Sequence, residues 1–214
     1  RQEEFQWAPF GKAAVIRLKA GIGSDGKVRA WQGRIISDTR NERPGGGGEV
    51  ICAWHLASPI PFVASIGNTL GPARNGVPLY SFPNLDVKVH SVKGPLRVSS
   101  LRSLGAYANV FAIESFMDEL AQVAEMDPVQ FRLNQLEDPR AREVIRRVAT
   151  ASQWGKKKRV GLGWGLAFAC YNDTGAYTAM AAQVQVEKQT GRVKVLRIIS
   201  AVDAGLVINP DGVR

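Results

Sequence analysis

The residue types best suited to chemistry stand in a short turn, residues 101–105, directly before an amphipathic segment. The turn contains Arg102, Ser103 and Gly105. An arginine and backbone N–H groups held at the start of a helix can bind or stabilise negative charge on a ligand. An ordinary junction between a loop and a helix has the same pattern. The turn is therefore a candidate ligand site, and a purely structural junction is the alternative.

The segment after the turn predicts a helix over residues 106–125. Its apolar residues recur at steps of three and four and form one stripe: Val110, Ile113, Met117, Leu120 and Ala124. Three acidic residues are predicted to lie outside that stripe: Glu114, Asp118 and Glu119. A helix buried along the stripe would hold the preceding turn in place.

Other reactive residue types form no recognisable site. Cys52 and Cys170 are far apart and form no CxxC pair, so they predict buried thiols rather than a disulfide framework or a zinc site. His55 and His90 are isolated. Four glycines at 45–48 are not followed by the lysine of a phosphate-binding loop, which favours a surface loop. No residue is assigned as a metal ligand.

Composition indicates a globular chain with a basic balance. The 214 residues carry a formal net charge of +9, which suits a phosphorylated ligand, an acidic partner or nucleic acid. The one basic run, Lys156–Arg159, has no interleaved aromatics, so it predicts a solvated linker and no nucleic acid is expected. No apolar run is long enough to be a transmembrane segment. Because the chain opens on Arg1 without a methionine, we expect an excised piece of a longer protein.

Strand patterns flank the helical region. A first hairpin is predicted from strands at 14–20 and 28–37, and a second, similar one from strands at 181–187 and 193–199. A further strand is predicted over 86–92. Strands, then helices, then strands predict an α+β fold with antiparallel or mixed sheets and a central group of helices.

Two Asp-Pro pairs predict further helix starts. Asp127-Pro128 and Asp138-Pro139 each offer an aspartate as N-cap and a proline in the first helical position. The second of these helices carries its apolar residues on one face: Ala141, Val144, Ile145 and Val148. A domain boundary is predicted at the basic linker, between residues 1–155 and 156–214.

Several stretches together resemble the molybdenum hydroxylases, the superfamily of xanthine dehydrogenase and aldehyde oxidase. They are the turn and helix of 101–121, the preceding segment 80–85, and the ending Val202-Asp203-Ala204-Gly205 with Ile208-Asn209-Pro210. Residues 1–5 and 138–142 are most similar to one branch, the beta subunit of isoquinoline 1-oxidoreductase and related nicotinate or aldehyde dehydrogenases. The resemblance covers most of the chain, and its ordered combination is what makes it specific.

The resemblance implies a molybdopterin-binding subunit of an oxidoreductase. Such an enzyme hydroxylates a heteroaromatic or aldehyde carbon with oxygen derived from water, and a 2Fe-2S small subunit carries the electrons away. The cofactor implied is molybdopterin, in its cytosine dinucleotide form. Residues 1–155 would be part of a first molybdopterin-binding domain and 156–214 the start of a second, truncated one. The resemblance leaves the substrate, the electron acceptor and the compartment, cytoplasmic or periplasmic, open.

The resemblance also implies roles for the turn. Arg102 would face the cofactor as the catalytic residue and stabilise developing negative charge. Cofactor contacts would come from Arg102, Ser103, Gly105 and Ala106, with the N–H groups of Gly105 and Ala106 as donors. Leu104 would form an aliphatic wall of the substrate site, where purine-binding relatives carry an aromatic.

Two departures from the family pattern lead to a further expectation. The catalytic glutamate is expected beyond Asn209-Pro210, and the family's phenylalanine-containing and Gly-Gln-Gly loops are expected upstream of Arg1. We therefore expect the chain alone not to retain the cofactor or turn over. The alternative function is a non-catalytic basic module that binds an acidic partner or nucleic acid.

Overall fold

The computed structural model describes residues 10–38, 71–92, 98, 101–156 and 161–213. The chain forms two compact units built from segments that alternate along the sequence. The first unit takes its described residues from 1–20, 30–78 and 84–113. The second takes them from 21–29, 79–83 and 114–214. The boundary predicted after residue 155 stays a prediction.

A three-stranded sheet contains the first predicted hairpin. Its strands are β1 (Ala14–Ile22), β2 (Val28–Asp38) and β3 (Leu85–Val92), in the order β1-β2-β3. This confirms the hairpin and the later strand, and it adds that β3 runs parallel to β2. Alternate residues of β2 are buried, beginning at Trp31 and including Ile35, as expected for a strand with one face on a core.

Three helices follow: α1 (Ala106–Val123), α2 (Pro128–Asn134) and α3 (Pro139–Ala151). Both predicted N-caps are confirmed. The Asp127 side chain accepts from the N–H groups that open α2, and the Asp138 side chain does the same for α3. The apolar face predicted for α3 is buried in full.

The buried stripe of α1 matches the prediction only in part, since Val110 and Ala124 are half-buried. Ile113, Met117 and Leu120 are buried, as predicted. Glu114, predicted to lie outside the stripe, is only 6% exposed, so that prediction was wrong. Burial of a carboxylate is tolerated where charged and hydrogen-bonding partners surround it, and Glu114 has such partners.

A second sheet, β4 (Leu162–Cys170), β5 (Tyr177–Val186) and β6 (Val193–Asp203), is antiparallel throughout. It contains the second predicted hairpin, with β5 beginning four residues earlier than predicted. Helix α3 packs against β5 and β6, and a last short helix, α4, covers Pro210–Val213. One mixed and one antiparallel sheet with a helical group confirm the α+β class.

Several sequence predictions fall outside the described residues, namely those on Cys52, His55, the glycines at 45–48 and most of the basic linker. Cys170 is buried, as predicted. His90 is exposed. None of the helices in the described part of the chain combines the length and hydrophobicity needed to cross a membrane.

Candidate functional site

The Arg102 turn, residues 101–105, has an unusual backbone conformation. Ser103 has φ 75° and Leu104 has φ 53°, so two consecutive residues other than glycine are left-handed. This conformation is rare for a bulky residue such as leucine. Backbone strain of this kind persists only where the surroundings impose it, and it clusters at functional sites. The strain therefore favours the ligand-site interpretation of the turn over the ordinary junction.

A glycine fastens the turn to the preceding segment 71–76, here called the strap. The Gly105 N–H donates to the Gly71 carbonyl oxygen at 3.0 Å. A Cβ on residue 105 would lie 2.5 Å from the carbonyl oxygens of both Gly71 and Pro72. Real Cβ atoms do not approach backbone so closely, so glycine is required for the turn to contact the strap.

Asn109 makes a second connection to the strap, from the first turns of α1. Its side-chain amide donates to the carbonyl oxygens of Pro72 at 2.8 Å and Arg74 at 2.9 Å. The residue is 1% exposed. Sequence reasoning missed it, since a single asparagine beside an apolar stripe carries no signal of its own.

The backbone N–H groups of the turn donate within the chain. The Leu104 N–H donates to the Leu101 carbonyl oxygen, that of Gly105 to Gly71 and that of Ala106 to Ser103, each at 3.0 Å. The N–H groups expected to reach a ligand from Gly105 and Ala106 thus point to internal acceptors here, because the left-handed turn closes on itself. Any role of these residues in cofactor binding stays a prediction.

A cavity of about 340 Å³ lies beside the turn, within the first unit. It brings together Arg102, Leu104 and Gly105, whereas Ser103 and Ala106 are not among its described lining residues. Lys12 adds a second cation that the sequence analysis had not singled out, and no described lining residue is acidic. The volume lies near the lower end of the range for small-molecule sites. The arrangement suits a small planar or anionic ligand.

The second unit contains a buried charged cluster around Glu114. The carboxylate accepts from Arg132 Nε at 2.9 Å, from the Tyr80 hydroxyl at 2.6 Å and from the Phe168 N–H at 2.9 Å. Arg132 is fully buried and also pairs with Asp118 at 2.7 Å. This cluster joins α1, α2 and β4 within the second unit.

The protonation states of the cluster follow from its surroundings. Burial alone would lower the pKa of Arg132, but the Glu114 carboxylate raises it above its usual value, so the guanidinium stays charged. Burial and the same carboxylate raise the pKa of Tyr80 well above its usual value, so the phenol stays a donor. Every partner is satisfied, which is typical of a structural network rather than a reactive one.

A third cluster joins two stretches that the sequence analysis linked to the same family. Arg140, from 138–142, forms a bidentate pair with Asp203, at 2.9 and 2.8 Å. The hydrogen bonds from Arg140 and then from the Gly205 N–H lower the pKa of Asp203. The Arg140 guanidinium carbon also lies 4.6 Å from the ring centroid of Tyr177. The Tyr177 hydroxyl donates to Asp138, and this hydrogen bond raises the pKa of Tyr177 to about 12. The cluster fixes the end of β6.

Comparison with known proteins identifies what the chain is similar to. Residues 99–214 match the family described as the molybdopterin cofactor-binding domain. Over its whole length the chain is 32% identical to one of the subunits of the nicotinate dehydrogenase of Pseudomonas putida. It is 28% identical to the beta subunit of the isoquinoline 1-oxidoreductase of Brevundimonas diminuta. The chain spans 18% and 26% of the length of these two relatives.

Solved structures show the same fold. The aldehyde oxidoreductase of Desulfovibrio gigas matches 86% of this chain, over 21% of its own length, with a TM-score of 0.53 and 16% identity. At that identity the likeness shows a shared fold. The match agrees with the mixed and antiparallel sheets described above.

Proposed function

Because this chain belongs to the molybdopterin cofactor-binding domain family, we propose that it forms one wall of the cofactor and substrate site in the large subunit of a molybdenum-dependent oxidoreductase. The observation that carries the proposal is the Arg102 turn, which borders a cavity lined by two cations. The turn has a strained backbone, and Gly105 allows it to contact the strap closely. Its sequence is also the stretch that resembles the family's site loop.

The proposed reaction is hydroxylation of an electron-poor carbon in a heteroaromatic ring or an aldehyde. The names of the relatives, nicotinate dehydrogenase and isoquinoline 1-oxidoreductase, point to nitrogen heteroaromatic rings. When bound, the molybdenum cofactor supplies the redox chemistry by accepting two electrons. A 2Fe-2S small subunit would carry those electrons onward, and the cofactor would be the cytosine dinucleotide form.

The described residues fit part of such a site. A cavity of about 340 Å³ admits a small ring but not a whole molybdopterin dinucleotide. Its cations, Arg102 and Lys12, are compatible with an anionic cofactor edge or with charge that develops on a substrate. This supports a partial wall, in keeping with a chain that spans 18% to 26% of its relatives. We further propose that the chain alone does not retain the cofactor.

Each residue of the wall then has a role. The Arg102 guanidinium is exposed and would orient the substrate and stabilise negative charge that grows on it during attack. Leu104 would pack against the ring face, because its side chain lines the cavity. Gly105 lets the turn approach the strap closely enough to fix both side chains.

The test is Arg102→Ala in the full-length gene product, co-expressed with its iron–sulfur partner. We expect kcat to fall by about 10² to 10³, the usual loss for a residue that stabilises transition-state charge, while molybdenum and pterin content stay near wild type. Arg17→Ala is the matched control, since Arg17 is an exposed arginine of β1 in the same unit. A well-folded complex without molybdenum, or a variant with unchanged kcat, would refute the proposal.

The family match favours this enzyme subunit over the non-catalytic basic module. The two are separated by salt-dependent binding to duplex DNA, which scales with the number of phosphates contacted. Negligible binding at about 50 mM salt is expected for the enzyme subunit. Tight binding that weakens steeply with salt would favour the module.

A further inference from the structure

We infer that Asn109 is a positioning residue that holds the Arg102 turn in its left-handed conformation. The effect of Asn109 on catalysis rests on the function proposed above. The inference itself concerns the conformation of the turn, which can be measured without turnover.

The first support is the pattern of hydrogen bonds. Asn109 donates from a single nitrogen, Nδ2, to two strap carbonyls, those of Pro72 and Arg74. A side-chain amide nitrogen carries two hydrogens, so both donors are used. Asn109 is 1% exposed, and the loss of its amide would leave the buried Pro72 carbonyl without this donor.

The second support is that the strap is held from two positions one helical turn apart. The Gly105 N–H donates to the Gly71 carbonyl, and the Asn109 N–H donates to the Gly105 carbonyl at 3.0 Å. Three strap carbonyls, at 71, 72 and 74, therefore accept from the last residue of the turn or from Asn109 in α1. Two of these three bonds depend on the Asn109 side chain.

The third support is that the turn needs an external constraint. Ser103 and Leu104 have φ of 75° and 53°, which neither residue type favours. Without the Asn109 bonds, the turn and α1 would keep one of these three hydrogen bonds to the strap, the one from the Gly105 N–H. The turn would then relax towards ordinary backbone conformations, and the backbone of Arg102 would move relative to the cavity.

The sharpest variant is Asn109→Asp, which keeps the size of the side chain. An ionised carboxylate cannot donate to either carbonyl, and it places negative charge against both oxygens. Asn109→Ala removes the donors without adding charge, and it replaces Asn109→Asp as the test variant if the aspartate variant does not fold. Asn134→Asp makes the same chemical change at an exposed site on α2 in the second unit.

The measurement is amide hydrogen exchange in the full-length gene product, followed in a peptide spanning 101–112, together with steady-state kinetics. For Asn109→Asp we expect exchange in the 101–112 peptide to become about tenfold faster or more, while peptides from β5 stay protected. We expect kcat to fall about tenfold with a smaller change in KM. Asn134→Asp should change neither quantity.

The outcomes separate this inference from the proposed function. Unchanged exchange in 101–112 in both Asn109 variants would overturn the inference, and so would equal loosening of β5. Faster exchange with unchanged kcat would overturn the positioning role if Arg102→Ala still lowers kcat. If Arg102→Ala leaves kcat unchanged, the proposed function fails, and the conformational role of Asn109 is decided by exchange alone.

Discussion

The Arg102 turn and the Glu114 cluster are both built on helix α1, but they are stabilised in different ways. The turn is held by backbone carbonyls of the strap, one glycine and one asparagine amide, and two of its residues are strained. The Glu114 cluster is held by charged side chains that are buried and satisfied. The first arrangement holds the backbone that carries an exposed arginine, and the second joins elements of the second unit.

This difference indicates where each region is sensitive. A turn that depends on close backbone approach is sensitive to a single added methyl group. A buried ion pair is sensitive to the removal of one partner, because the other is then left charged and without its counterion. Substitutions in the two regions should therefore affect different properties of the protein, with activity more sensitive at the turn and stability at the cluster.

The largest effect is expected for Arg132→Met. The Arg132–Glu114 pair is 0% and 7% exposed, and loss of one partner of such a pair costs about 3–5 kcal/mol in the free energy of unfolding. Urea unfolding measures this directly. Arg147→Met is the control, because its pair with Glu143 is 72% and 50% exposed and should contribute below about 0.5 kcal/mol. Similar losses of unfolding free energy in both variants would show that the buried pair is no more important to stability than the exposed one.

An intermediate effect is expected for Gly105→Ala. The added Cβ would meet the Gly71 and Pro72 carbonyl oxygens at 2.5 Å, so the turn or the strap must move, at a cost of about 1–3 kcal/mol. The activity of the full-length complex should fall more in Gly105→Ala than in the control variant Gly163→Ala. There the new Cβ would meet Val184 Cγ2 at 3.6 Å, an ordinary contact. Wild-type activity in Gly105→Ala would show that the close approach is not needed.

The smallest effect is expected for Asp203→Asn, and it depends on pH. The hydrogen bonds from Arg140 lower the folded pKa of Asp203, so its carboxylate stabilises the fold above the unfolded value of about 3.9. That contribution is lost as the pH falls below about 4 towards the folded pKa. Asp203→Asn should be slightly less stable than the wild-type protein at neutral pH. It should also lose less stability than the wild-type protein when the pH is lowered. Parallel curves of unfolding free energy against pH for the two proteins would contradict the assignment.

Much of the local structure could be predicted from the sequence because it depends on neighbouring residues. Asp127 and Asp138 cap their helices through N–H groups two and three residues away. The first hairpin and the buried face of α3 follow from short-range sequence patterns in the same way. The Arg102 turn, including its position directly before a helix, was predicted for the same reason.

The candidate site was predicted only in part. Arg102, Leu104 and Gly105 line one cavity, whereas the Gly105 and Ala106 N–H groups, expected to reach a ligand, donate to Gly71 and Ser103. Their role in cofactor binding stays a prediction. Periodicity placed Glu114 outside the buried stripe because it scores a residue by its polarity. It cannot register a partner such as Arg132, which is 18 residues further along the chain.

Local propensity and ordered motifs were enough to predict the element types, the helix caps and the family. Tertiary structure alone decided that β3 runs parallel to β2, that Arg140 meets Asp203 across 63 residues and that Asn109 holds the strap. The physical reason is common to all three. Each depends on polar groups brought together from distant positions, whose contact is fixed only after the apolar faces have been buried.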